Sequence, residues 1–359
     1  MLRRRRVGGG GEVPGGVLIG PDQTVAGYAG LTGIASPSEG QIMMYRPGLF
    51  AVWRGGIWNE VSSANLSLLQ PTEGGPVKAC PLEGGFQSTV GADLVLTFST
   101  SGALVVYRTT EIWYLVVGGG GGGGNATLYN NPGGGAGGLR TSWPTTSGKS
   151  GGGSPIEGKL ALEPGTYMVT VGNGGAPGEN GGASSIGTLV VAQGGGSNIR
   201  DGGCGSGGVS AGNARGAGIT GQGFPGGFGS VAPDGGGGCD AGAGGGAGGP
   251  GAHPDGLVNS NSPLLGGEGI ESDITGTLCW YAAGGNGAGY YVLGGRRDIG
   301  GGVEGLTHAT CYPRPANLSP HGVDGTGSGG GGGKKEFTGD FKTGGRGGKG
   351  IVVIRFPKE

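Results

Sequence analysis

The sequence predicts an all-β protein with almost no α-helix: a small N-terminal β-rich module, then a β-sandwich-like scaffold carrying a bundle of polyglycine-II helices. Three observations lead there. Glycine supplies 101 of the 359 residues. Val- and Ile-rich runs at 94–117, 158–172, 185–193 and in the last ten residues bracket the glycine-rich stretches on both sides. The first of these runs, ending in Tyr114-Leu115-Val116-Val117, passes directly into seven consecutive glycines, Gly118 to Gly124.

Ordering glycine costs roughly 0.5–1 kcal/mol more than ordering alanine in a regular element, so this composition needs a physical reason. Collagen is excluded, because its axis admits only glycine in strict triplets and segments such as GGCGSGGVSAGNARGAGITGQG (202–223) keep no triplet. Disorder is the competing reading, since such stretches bury little apolar surface to offset their ordering entropy. The bracketing strands argue against it. Without Cβ atoms, neighbouring segments can approach to backbone contact. In a polyproline-II conformation of about three residues per turn, their N–H and C=O groups point outward. Side by side, such helices would satisfy one another's backbone groups, at a net ~1 kcal/mol per hydrogen bond.

Along the chain, residues 1–40 read as an extended glycine-rich arm with no regular element. Residues 41–90 read as a small β-rich module, with Met43, Tyr45, Phe50, Trp53, Ile57 and Trp58 in short apolar patches cut by P-G and G-G turns. Residues 91–359 form the glycine-rich domain. Its opening meander alternates Leu94, Leu96 and Phe98 with Val95, Thr97 and Ser99, and places a turn at Ser101-Gly102 before strands at about 103–107 and 111–117. Pro164-Gly165 is a further turn, and GIVVIRF (350–356) is the last strand, expected to pair with an early one.

Composition and motifs exclude more than they assign. The net charge of −1 gives no pull toward nucleic acid or membrane. MLRRRR precedes glycines where a signal peptide would need an apolar stretch, so no secretion signal is expected. No run approaches the ~18–20 apolar residues of a membrane helix. The five cysteines, without a C-x-x-C pair, are expected as free thiols formed in a reducing cytoplasm. Ser147-Gly148-Lys149-Ser150 is no phosphate loop, because Trp143 stands where the leading glycine is required. His253, His308 and His321 lie in loops without any nucleophile, metal or paired-carboxylate motif. No enzyme, cofactor or metal is expected.

The alternating strand with its serine-glycine turn, YLVVG running into polyglycine, GGGAGG at 133–138, YMVTVGNGG at 167–175, repeated GGGG islands and the terminal GGKGIVVIRF at 347–356 together resemble the glycine-rich domain of bacteriophage tail fibres and related virion proteins. The match covers about residues 92–359. A looser resemblance is to the tip adhesins of T-even-type phages, whose glycine-rich domains form sandwiches of polyglycine-II helices with receptor-binding distal loops. The resemblance implies a virion protein, a tail fibre or tail-tip adhesin, that is assembled in the bacterial host cytoplasm and binds a host surface glycan or outer-membrane protein. The rival is a capsid decoration or head-fibre subunit that stabilises the particle or binds host-surface glycans.

A backbone-held core has little room for rings, so aromatics between glycine runs are expected at loop tips, where a scaffold presents function. The receptor-binding candidates are Tyr129, Trp143, Phe224, Phe228, His253, Trp280, Tyr281, Tyr290, Tyr291 and Tyr312. The alternative for Trp280 and Tyr281 is packing beneath a loop. Arg3, Arg4, Arg5 and Arg6, with Trp53 and Trp58, are the candidates for attachment to other virion proteins, with no nucleic acid and no membrane insertion. A homotrimer is the default assembly.

Overall fold

The computed structural model describes side chains at residues 79, 84–125, 131–209, 214–229, 241–253, 264–288, 321–333 and 343–358, and further strands as backbone alone. At the N-terminus, β1 (Arg4–Val7) pairs with β2 (Gly11–Pro14). The first forty residues therefore do contain an element, and Arg4, Arg5 and Arg6 lie in it; Arg3 is outside the described residues. Strands β3 (Ile42–Arg46), β4 (Leu49–Arg54) and β5 (Ile57–Ser62) form an antiparallel meander with Trp53 opposite Trp58.

The scaffold starts with β6 (Ala79–Val90) and β7 (Asp93–Val106), a hairpin closed at Gly91-Ala92. It goes on through β8 (Thr110–Val117), β9 (Leu139–Thr141), β10 (Leu160–Leu162), β11 (Gly165–Thr170), β12 (Ser184–Ile186) and β13 (Val190–Ala192). Two short hairpins follow, β14 (Ile270–Ser272) with β15 (Cys279–Tyr281) and β16 (Lys334–Lys335) with β17 (Phe341–Lys342), before β18 (Ile351–Pro357). The main sheet runs β10-β8-β18-β7-β11-β12-β13, with β6 also on β7 and β9 on β8. Strands β12 and β13 come back against β8 and β18, so the sheet nearly closes on itself. No α-helix occurs among the described residues.

The last strand thus sits between the first two long ones: Ile354 faces Leu96 on one side and Tyr114 on the other. Three boundaries differ from expectation. β6 belongs to this sheet, so the scaffold begins at Ala79 rather than 91. Ser101-Gly102 is no turn, because β7 runs on for 14 residues and changes partner there, from β18 to β11. Leu94, Leu96 and Phe98 keep their phase into Leu104 and Val106, all five packed in one interior cluster. Gly84, at φ +69°, makes the opposing bulge in β6, where a Cβ would meet the Ser101 carbonyl. Finally, Pro164-Gly165 bends the chain from β10 on β8 to β11 on β7, without forming a hairpin.

Both faces of the central strands are covered. Val116, Val352, Ile354 and Phe356 fill the sheet interior, while Val95, Leu115, Val117 and Val353 pack outward on Leu139, Cys204, Ile270, Cys279 and Tyr281. Cys204 is free and buried, and desolvation raises its thiol to about 12. Cys279, equally buried, is disulfide-bonded, which corrects the expectation of free thiols throughout.

The glycines continue the strands. Gly118–Gly124 extends β8, 131–138 leads into β9, 172–176 leaves β11, 179–182 leads into β12, 193–197 leaves β13, 282–288 leaves β15 and 343–350 leads into β18. Along the first of these the donors repeat every three residues. Gly118, Gly121 and Gly124 donate to Gly138, Gly135 and Pro132; Gly119 and Gly122 to Gly182 and Glu179; Gly120 and Gly123 to Gly348 and Gly345, all at 2.8–3.0 Å. Their carbonyls accept from further neighbours: Gly119 from Gly195, Gly120 and Gly123 from Gly175 and Gly178, Gly121 and Gly124 from Gly330 and Gly333. A period of three with partners on all sides is the polyglycine-II arrangement. A few buried side chains substitute for backbone, as where Ser197 Oγ donates to the Gly122 carbonyl (2.6 Å) and the Asn131 amide to Gly333 (3.1 Å). The composition now has its reason: a Cβ on Gly119, Gly120, Gly121, Gly122 or Gly123 would overlap a neighbouring backbone.

Candidate functional site

Strands at one end of the lattice give it an opposite, distal end. There Gly124, Asn131 and Gly333 are joined by backbone hydrogen bonds, Asn131 links to Ala288 and Ala288 to Ala241, and Gly208 links Gly227 to Gly242. Leu264 joins through Gly287. The stretches 126–130, 210–213, 230–240, 254–263 and 336–340 lie outside the described residues, and the described residues on both sides of each are at this end. The described chain also breaks off here after Ala288 and resumes at His321, whose Nδ1 accepts from the Arg346 N–H (3.0 Å) on the lattice flank. Asp324 holds Arg346 beside it (2.8 Å); burial alone would raise the Asp324 carboxyl, but the hydrogen bonds from Arg346 and the Lys349 N–H, with the charges of both residues, together outweigh it and lower the pKa.

The sequence candidates divide between the two ends. Tyr129, Tyr290, Tyr291 and Tyr312 fall outside the described residues. His253 is exposed at the distal end, and Phe228 lies there with the Arg215 guanidinium 4.1 Å over its ring. Phe224 does not: its N–H binds the Gly246 carbonyl and its ring lies by Gly153, toward the scaffold. Trp143 is also on the scaffold, edge-on to Trp113 at 5.2 Å, beneath Arg355 at 4.1 Å, and donating from Nε1 to Asp273 (2.8 Å). Arg355 in turn pairs with Asp93 (2.8 Å), and Lys159 covers Trp113 (4.0 Å). Trp143 is therefore a clasp between β8, β18 and the β14–β15 turn. Tyr281 is 2% exposed. It leaves the receptor set for the core, and burial, only partly offset by a hydrogen bond with Thr275, raises its phenol to about 12.

Trp280 is different. Its cross-strand partner in the hairpin is Glu271, and both alternate with buried neighbours, Ile270 and Ser272 on one strand, Cys279 and Tyr281 on the other. The pair therefore emerges on one face, into a cleft of about 230 Å³ on the scaffold side. The facing wall is the 145–149 turn with Thr146, Ser147 and Lys149; Glu268 lies on the rim, and Gly153, Gly248 and Gly269 contribute backbone. Lys149 and the glutamates, drawn from segments some 120 positions apart, carried no signal in the sequence. The turn is fixed locally: Thr145 Oγ1 donates to the Lys149 carbonyl (2.8 Å) and accepts from its N–H (3.1 Å), and the Thr146 N–H docks on the Glu271 carbonyl (3.2 Å). No group of His, Cys, Asp and Glu suited to a metal ion occurs among the described residues.

A nearly closed β sheet whose strands are prolonged as polyglycine-II helices defines a lattice-bearing glycine-rich domain. A family model described as a glycine-rich domain matches residues 99–357, and the chain belongs to that family. No curated protein matches the sequence.

Proposed function

We propose that this is a bacteriophage virion protein, a tail fibre or tail-tip adhesin, which binds a host surface glycan or outer-membrane protein through the loops of its distal end. The observation that carries this reading is the convergence of loop attachments. The described chain breaks off and resumes at one end of a hydrogen-bonded lattice five times, and breaks off there a sixth time after Ala288. Rigid scaffolds with variable loops at one end are the usual architecture of recognition, and preordered anchors reduce the entropy lost on binding. Arg215 over Phe228 and the exposed His253 add cationic, aromatic and polar surface at that end. In this reading the N-terminal region attaches the protein to other virion components. Repeated copies on the particle, a trimer as the default, raise avidity without new contacts.

The test replaces 254–263 and 289–320, singly and together, by short Gly-Ser linkers in the full chain. Melting should stay within a few degrees of the parent while the protein loses saturable binding to host cells and no longer competes with particle adsorption. Undiminished binding by the double replacement would refute the distal-loop reading.

A further inference from the structure

We propose that the cleft between the 145–149 turn and the β14–β15 hairpin is a saccharide site that holds one pyranose ring against Trp280. It lies at the scaffold end and none of its lining residues belongs to the distal stretches, so it does not rest on the receptor reading above. The inference stands on the chemistry gathered there. Trp280 offers a half-buried indole, and a sugar ring has one face of C–H groups that packs against such a surface. Around that face, a pyranose carries hydroxyls that each donate and accept. Glu271 beside Trp280 and Glu268 on the rim can only accept while ionised, the Lys149 ammonium can only donate, and Thr146 and Ser147 do both. Glycine backbone at Gly153, Gly248 and Gly269 lets the ring approach without meeting a side chain.

Size and charge narrow the class. At about 230 Å³ the cleft is smaller than the ~300–1,000 Å³ of drug-sized ligand sites, which suits a single ring or chain terminus. Two carboxylates against one lysine disfavour a phosphate or an acidic sugar. Lys149 disfavours a quaternary ammonium, the other ligand that an aromatic ring with carboxylates attracts. The walls are already in place: beyond the bonds at Thr145 and Thr146, Ser150 N–H donates to the Ser154 carbonyl (2.7 Å), and the Gly152 N–H to Ala247 (2.9 Å). The site is open and preorganised, as weak and reversible sugar binding requires.

The test is saturation-transfer NMR on the full chain with glucose, galactose, mannose and N-acetylglucosamine as probes, and with tetramethylammonium and inorganic phosphate as controls. A saturable signal from at least one hexopyranose is expected. Trp280→Ala should weaken it roughly tenfold or more, and Trp280→Phe less. Glu271→Gln and Lys149→Met should each reduce it with the melting temperature unchanged, which keeps the test valid if Trp280→Ala fails to fold. The distal linker replacements should leave it intact. No hexopyranose signal, a signal that survives both Trp280→Phe and Glu271→Gln undiminished, or binding of a control ion alone would each overturn the proposal.

Discussion

Phe98 in the sheet and Gly121 in the lattice are both buried, and opposite devices hold them there. Phe98 is 0% exposed among Leu96, Leu104, Val352 and Phe356, and gains from removing apolar surface from water at about 25 cal/mol per Å². Gly121 has no side chain to bury. It donates to Gly135 (2.8 Å) and accepts from Gly330 (2.9 Å), and what is packed around it is other backbone. The difference teaches where each region tolerates change. A side-chain core can repack around a lost or altered methyl group, whereas a backbone core has nothing that can rotate away.

The largest effect should follow from adding one methyl to the lattice. In Gly121→Ala the new Cβ overlaps the Gly196 carbonyl, and Gly196 is itself bonded to Cys204 and Gly135. Overpacking costs about 1–3 kcal/mol or more, and each buried backbone group left unpaired adds about 1–3 kcal/mol. Loss of cooperative melting, or a destabilisation at least equal to the ~3–5 kcal/mol of Phe98→Ala, is expected in calorimetry. A melt of Gly121→Ala within about 2 °C of the parent would mean that the lattice is looser than its hydrogen bonds imply.

How much of this was legible in the sequence follows from the same contrast. The strands of the side-chain core announce themselves: alternation at 94–98, the apolar run before Gly118 and IVVIRF near the end placed the start of β7 and the whole of β8 and β18 within a few residues, and the bracketing of glycine by strands pointed to a lattice. Lattice pairing was not legible, because one glycine carries no mark that distinguishes partner 135 from partner 182. Ser101-Gly102 looked like a turn since its residues favour one, and only the unbroken phase from Phe98 to Leu104 told otherwise. Most of the cleft escaped for a related reason. Trp280 drew attention as a ring among glycines, but Lys149, Glu268 and Glu271 are ordinary surface charges until the hairpin and the turn bring them together.

Trp143 sharpens the comparison at the next level of effect, as a ring that a glycine-rich context suggests is free. Its T-shaped contact with Trp113 is worth about 0.5–1.5 kcal/mol, and Arg355 over its face about 0.5–1 kcal/mol. The Nε1 bond to Asp273 adds a further ~1 kcal/mol. Trp143→Ala should therefore lose about 2–3 kcal/mol in denaturant unfolding while cell binding by the folded fraction is unchanged. A loss of binding with unaltered stability would return Trp143 to the recognition surface.

Alkaline pH probes the seam where the two regions meet. Burial raises Cys204, between lattice and sheet, to about 12, and Tyr281 likewise. Both are acids that the folded state keeps protonated, so the unfolded chain releases its protons first as pH rises. Their contribution is whole below the unfolded values, near 8.5 for the thiol and 10 for the phenol, and is lost as pH climbs toward 12. By pH 10 the thiol accounts for about 2 kcal/mol. Melting temperatures should fall from about pH 8.5 upward, and Cys204→Ala should flatten the first part of that slope. A profile unchanged by Cys204→Ala would place the alkaline transition elsewhere.

The smallest effect tests whether glycine is required for space or for conformation. Gly158 is exposed, has no atom within 4 Å of an added Cβ and does not lie in the left-handed region. Gly158→Ala should stabilise the protein by about 0.4–1 kcal/mol, because alanine reduces the freedom of the unfolded chain. Gly148 is equally unobstructed but sits at φ +67°, within the turn that carries Lys149 into the cleft. There alanine should cost roughly 1–2 kcal/mol through backbone strain alone. The three glycines thus separate the three uses of the residue: Gly121 for close approach, Gly148 for a left-handed turn, Gly158 for neither. If Gly158→Ala destabilised as much as Gly148→Ala, the ranking would fail, and the cost of alanine could no longer be assigned to the lattice contacts that make Gly121 indispensable.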